Sequence, residues 1–143
     1  MKKLLLLLTI LFTLASCSLD NENTNSNFHV EFVPVTNVEL PDYVIPGYTY
    51  PLKLYYSRPT DCYVFDGFAY EIDKNNARVV ALQFNVFEQD DCAPVETLVP
   101  EVATLTFECP PVSIDTVYTF KFYVGTDANG NQQFLEKRVP IAQ

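Results

Sequence analysis

The chain reads as all-β, with two facing antiparallel sheets built from about seven strands. Three observations predict this. Outside an apolar leader, the hydrophobic residues are mostly Val, Tyr, Phe and Leu, which suit a pleated, half-buried backbone. Prolines are frequent and glycines few, ten against four, and tryptophan is absent. Short runs of alternating apolar and polar residues recur along the chain, with turn signals between them, as a sandwich requires.

The first run alternates at Phe28, Val30 and Phe32 and stops at Pro34, which suits an edge strand. "PDYVIPG" (41–47) is a turn-rich link. Tyr48, Tyr50, Leu52, Leu54 and Tyr56 then alternate with Thr49, Pro51, Lys53, Tyr55 and Ser57, and "RPTDC" (58–62) is a loop. In the third run Val64, Phe68, Tyr70 and Ile72 face one way and Tyr63, Phe65, Gly67, Ala69 and Glu71 the other. "DKNNA" (73–77) turns the chain into Val80, Leu82, Phe84 and Val86, and "EQDDCAPVE" (88–96) is a long acidic loop. Ala103, Leu105 and Phe107 form the fifth run, and "CPPVSI" (109–114) leads to the sixth, at Tyr118, Phe120, Phe122 and Val124.

Asn129-Gly130 lies between the last two runs and favours a two-residue type I′ turn. That turn would set Val124 opposite Leu135, Phe122 opposite Lys137, Phe120 opposite Val139 and Tyr118 opposite Ile141. Lys137 is then the one misfit on an otherwise apolar face.

"DTVYTF" (115–120) resembles the tyrosine-corner segment of immunoglobulin-like domains, with Tyr118 as the corner tyrosine. The resemblance implies an immunoglobulin-like β-sandwich over residues 28–143. It is not of the antibody type, because the tryptophan and the inter-sheet cysteine pair are missing.

The N-terminus is Met1-Lys2-Lys3 followed by an apolar run to Leu14 interrupted only by Thr9 and Thr13. It is too short to span a bilayer, which takes roughly 20 apolar residues, and it has the form of a secretory signal. Its exit, Leu14-Ala15-Ser16-Cys17, resembles the lipobox of bacterial lipoproteins. The resemblance implies a signal peptide over 1–16, cleavage before Cys17, and acylation of Cys17 as a membrane anchor. Residues 17–27 then form a polar tether. Ser18 follows the cysteine, and Asp20 and Glu22 come soon after. This resembles the acidic tether of surface-exported lipoproteins of the Bacteroidota, and it implies an outer-membrane protein displayed on the cell surface, the alternative being one that faces the periplasm.

Cleavage leaves one domain of ordinary size. The whole chain carries nine basic and eighteen acidic residues, a net charge of −9; without Lys2 and Lys3 the charge is −11. No basic stripe is present, which argues against nucleic acid as a partner.

Three cysteines remain after Cys17: Cys62, Cys92 and Cys109. Export implies oxidising conditions, so one pair is expected. In an antiparallel sandwich successive loops alternate between the two ends. Cys62 and Cys92 fall at one end and Cys109 at the other, so the expected bridge is Cys62–Cys92, with Cys109 free or buried.

Catalysis finds little support. The single histidine, His29, lies in the first strand, and no nucleophile motif accompanies it. No cofactor is implied. Asp61, Asp90, Asp91 and Asp127 come from loops that share one end and could supply oxygens to calcium, although the hairpin turn accounts for "DANGN" (127–131) more simply. Tyr63, Phe65, Tyr123 and Phe134, with Lys121 and Arg138 beside them, would line the outer face of one sheet. Exposed aromatics gathered in this way form a candidate binding face. Asp115-Thr116-Val117 resembles the short acceptor sequence for O-glycosylation in exported Bacteroidota proteins, which implies Thr116 as the modified residue.

The whole resembles small flavobacterial lipoproteins with no assigned activity. The features shared are the lipobox, the Pro59-Thr60-Asp61-Cys62 loop, Cys92, and the ending from Thr119 to Pro140. The resulting expectation is a lipid-anchored, non-catalytic module that binds a protein or glycan partner. The alternative is a structural or accessory subunit of an outer-membrane assembly.

Overall fold

A computed structural model describes residues 27–96, 98–112 and 115–142. The leader, Cys17 and the tether up to residue 26 lie outside the described residues. The described chain forms eight strands and no helix: β1 Phe28–Val33, β2 Val35–Glu39, β3 Thr49–Tyr56, β4 Tyr63–Ile72, β5 Arg78–Phe87, β6 Glu101–Glu108, β7 Val117–Thr126 and β8 Gln132–Pro140. The strand missing from the sequence reading is β2. Pro34 does end β1, because it cannot donate to the ladder. The chain then continues as a second short strand that joins the opposite sheet.

The sheets are a three-stranded layer, β2-β3-β6, and a five-stranded layer in which β5 is central. β4 runs along one side of β5. β1 and β7 share the other side, β1 beside Leu82–Phe87 and β7 beside Arg78–Val80. β8 completes the layer as a hairpin with β7. The two-layer sandwich is as expected, but it is not antiparallel throughout. β5 and β7 are parallel neighbours, Arg78↔Phe120 to Val80↔Phe122. Between them the chain crosses to β6 in the other layer and returns, so two reversals restore its direction.

The core lies between the layers. Leu52, Leu54, Tyr56, Ala103 and Phe107 come from the small sheet, and Val80, Leu82, Phe84, Tyr118, Phe120, Phe122 and Val139 from the large one. Phe107 packs edge-on against Tyr118 and Phe120, with ring centroids 5.2 and 5.1 Å away, a favoured geometry for aromatic pairs. Tyr118, the second residue of β7, is buried. The guanidinium of Arg78 lies over its ring, 3.9 Å from the centroid.

The last hairpin differs in register from the expectation. Tyr118 pairs with Val139, Phe120 with Lys137 and Phe122 with Leu135. The connection is a three-residue loop, not a two-residue turn. The Asp127 N–H donates to the Asn131 carbonyl (2.9 Å) and the Gly130 N–H to the Asp127 carbonyl (3.0 Å). Gly130 sits at φ +82°, the left-handed position that ends a three-residue loop. A bulge between Tyr123 and Gly125 adds a second one-residue shift. The two shifts sum to two residues, so from Tyr118 to Tyr123 the side chains stay on their expected faces, whereas Val124, expected inside, is the extra residue of the bulge and is exposed.

Candidate functional site

The expected face of Tyr63, Phe65, Tyr123 and Phe134 is divided in two by a bulge. In β4, Phe65 pairs with Phe84, but Gly67 pairs with Gln83, leaving Asp66 as the extra residue. One extra residue moves everything upstream to the other side of the sheet. Tyr63 and Phe65 therefore point inward, on the same side as Phe68, Tyr70 and Ile72. Gly67 has φ +152°, a conformation open to glycine and unfavourable for side chains with a Cβ. That permits the bulge here.

Both displaced rings have structural contacts. Phe65 lies 5.4 Å from Phe84 and 5.3 Å from Phe68, and Tyr63 lies 6.4 Å from Phe84. The Tyr63 hydroxyl donates to Glu31 Oε2 at 2.7 Å. This bond is the leading cause of two shifts: it lowers the Glu31 pKa and raises that of Tyr63. Glu31 also faces His29, whose Nε2 is 3.1 Å from Glu31 Oε1 and whose Nδ1 is 3.4 Å from Glu88 Oε1. The hydrogen bond to Glu31, first among the causes, raises the His29 pKa. The half-exposed imidazole lies between two carboxylates and, among the described residues, has no hydroxyl or thiol nucleophile aligned on it; it ties the start of β1 to β4 and to the end of β5.

Tyr123 and Phe134 do occupy the outer face, as a directly opposed pair with centroids 6.2 Å apart. Phe32 of β1 joins them, 6.1 Å from Tyr123. These rings wall a hollow of about 390 Å³ whose floor is Ala69, Val79 and Ala81, with Tyr70, Glu71 and Gln132 completing the lining. Ligand sites are commonly hollows of this size with apolar walls and few polar groups. Phe28, Val30 and Val64 extend the exposed apolar surface along the same face, each about half exposed. The sequence marked Phe28, Val30 and Phe32 as one alternate set, and their exposure in the structure is what places them on the outer face. The small floor residues Ala69 and Ala81 carried no signal of their own, because a depression appears only when strands are placed side by side.

Lys121 and Arg138 flank this region, but Lys121 is engaged. Its Nζ is 2.7 Å from Asp73 Oδ2. That hydrogen bond, followed by the Ala77 N–H, lowers the Asp73 pKa to about 2. The same carboxylate accepts N–H groups of Asn75 and Ala77 and so builds the β4–β5 turn.

Cys62 and Cys92 are joined by a disulfide, with Cα atoms 5.5 Å apart, and Cys109 is a buried free thiol. Loop alternation thus paired the correct cysteines. The four loop aspartates do not form one site. Asp61 and Asp91 border a hollow beside the disulfide, where Asp61 Oδ1 accepts the Ala93 N–H at 2.9 Å. The Asp127 carboxylate instead organises the β7–β8 loop, accepting the N–H groups of Asn129 and Asn131 at 2.9 and 2.8 Å. Asp90 lies in the exposed acidic loop. Among the described residues, no three His, Cys, Asp or Glu side chains converge as metal ligands. Thr116 is exposed just before β7, and its carbonyl accepts the Ile141 N–H.

Comparison with family models, with curated proteins and with solved structures returned no match.

Proposed function

We propose that this protein is a lipid-anchored, non-catalytic binding module of the outer membrane, displayed at the cell surface, with a protein or glycan partner. The partner docks on the outer face of the five-stranded sheet. The observation that carries this reading is the aromatic-walled hollow at Phe32, Tyr123 and Phe134, on a sheet face that the second layer does not cover. A monomeric domain rarely leaves such a surface exposed unless something binds it.

The place where the chain enters the domain supports the same reading. Residue 27 meets the end of β5, where the Glu88 N–H donates to the Asn27 carbonyl at 2.9 Å. The hollow lies around Val79–Ala81, at the other end of β5. Counted along the strand, that is about 24 Å from the tether. The hollow thus sits at the far end of β5 from the point where the chain enters the domain. The Leu14-Ala15-Ser16-Cys17 exit supports the anchor, and Asp20 and Glu22 support display.

Two experiments test the reading. Labelled palmitate should enter the wild-type protein and not Cys17→Ala; label in the variant removes the anchor. Glycan-array binding and pull-down from detergent-solubilised membranes are then compared for the wild type and for Tyr123→Ser/Phe134→Ser. The variant should lose the partner and keep its melting temperature within a few degrees. Partner binding unchanged in the variant would move the site elsewhere. Stoichiometric co-purification with an outer-membrane assembly, unaffected by the variant, would favour an accessory subunit.

A further inference from the structure

We infer that the exposed edge of β4, from Gly67 to Ile72, accepts an extended, positively charged segment of a partner protein as an added sixth strand. The inference rests on the binding-module reading and names the partner class.

β4 pairs with β5 alone among the described strands, so its outer edge carries backbone N–H and C=O groups with no strand beside them. Proteins usually blunt such an edge with lysine, proline or a bulge. On the other side of this sheet, the edge strand β8 carries Lys137, Arg138 and Pro140. β4 has neither lysine nor proline, and its bulge lies at Asp66. Beyond the bulge the register with β5 is unbroken from Gly67↔Gln83 to Ile72↔Arg78. This leaves about 20 Å of regular edge.

The edge runs between two hollows. On the outer side is the aromatic-walled hollow, reached over Ala69 and Glu71. On the inner side is a second hollow, about 290 Å³, between Tyr70 and the edge strand β6 at Leu105–Glu108. Tyr70 borders both, and Tyr70 and Ile72 are 44% and 57% exposed. A strand laid against β4 sends alternate side chains to alternate faces, one set into each hollow. In strand addition, main-chain bonds supply affinity and alternate pockets supply specificity. Each hollow is lined by one acid, Glu71 or Glu108, and by no lysine or arginine. The chain as a whole carries −9. Charge complementarity therefore selects a basic strand over an acidic one.

The test uses the detergent-solubilised full chain and two capped decapeptides, one alternating valine and lysine, the other valine and glutamate. Hydrogen exchange by mass spectrometry should show new protection at residues 67–72 with the lysine peptide. That peptide should bind at least about tenfold tighter than its glutamate counterpart. Glu71→Lys/Glu108→Lys should abolish or reverse the preference, and Glu71→Gln/Glu108→Gln should weaken it without adding charge. Equal binding of both peptides, or no binding of either, overturns the inference. Protection at Tyr123 and Phe134 without change at 67–72 overturns strand addition and leaves the module reading in place. A glycan that binds without protecting β4 does the same. Protection of 67–72 by self-association alone makes a second copy the occupant and also overturns it.

Discussion

Replacing both bridged cysteines, Cys62→Ser/Cys92→Ser, should destabilise the domain substantially and leave it folded. The bridge spans 30 residues of sequence. Closing a loop of that length removes unfolded-chain entropy corresponding to about 3.6 kcal/mol at 25 °C. A domain of about 115 residues has an unfolding entropy of about 0.24 kcal/mol per kelvin, so the melting temperature should fall by about 15 °C. The native loops remain joined without the bridge. The Asp61 N–H donates to the Ala93 carbonyl at 3.0 Å, the Val95 N–H to the Pro59 carbonyl at 3.2 Å and the Phe87 N–H to the Cys62 carbonyl at 3.1 Å. The loss thus lies in the unfolded state, which expands and exposes more surface. Urea titrations followed by far-ultraviolet circular dichroism should show a larger m-value together with the lower midpoint. A fall of less than about 4 °C with unchanged m would refute the loop-entropy argument. So would a variant already unfolded at 25 °C, since the bridge would then be shaping the native state.

Gly67→Val should cost about 1–3 kcal/mol, measured by urea denaturation, because a β-branched residue is unfavourable at φ +152° even in open space. A neutral result would mean that the bulge does not need this backbone conformation. Asp73, held at about pKa 2 against an ordinary 3.8, stabilises the fold fully above about pH 4, and the contribution is lost as pH falls through 2. Melting temperatures of Asp73→Asn should accordingly be flatter than wild type across that range. His29 acts in the opposite sense. Its pKa is raised above 6.5, so its contribution is complete below 6.5 and lost as pH rises through the folded value; His29→Gln should remove that slope, and an unchanged slope would place its origin elsewhere. Cys109, 2% exposed, should react with a thiol reagent only as fast as the protein opens, and rapid labelling under native conditions would contradict its burial.

The alternation of apolar residues was enough to locate seven of the eight strands and most of the core. Leu52, Leu54 and Tyr56, or Phe120 and Phe122, can bury one face only as strands. β2 was missed because its burial pattern offers little periodicity: Val35 is buried, Val38 half-buried, and Thr36, Asn37 and Glu39 exposed. The proposed binding face was half legible. Tyr123 and Phe134 were assigned to the correct side, because the two one-residue shifts in their hairpin preserve parity. Tyr63 and Phe65 were assigned to the wrong side, because the single bulge at Asp66 reverses it. A bulge leaves no sign in an alternating pattern except its glycine, and Gly67 also fits an ordinary strand position.

The amino-acid order by itself determined seven of the eight strands, the alternation of loop ends from β3 onward and therefore the partners Cys62 and Cys92, since each depends only on local period and on reversal at each of those turns. Which strands became neighbours was a tertiary outcome. β5 meets β7 in parallel and β4 keeps an open edge because two layers had to close over one core. The hollow at Ala69, Ala81, Phe32 and Tyr123 exists only through that arrangement, which sets β1 and β7 beside the β4–β5 hairpin from distant parts of the chain.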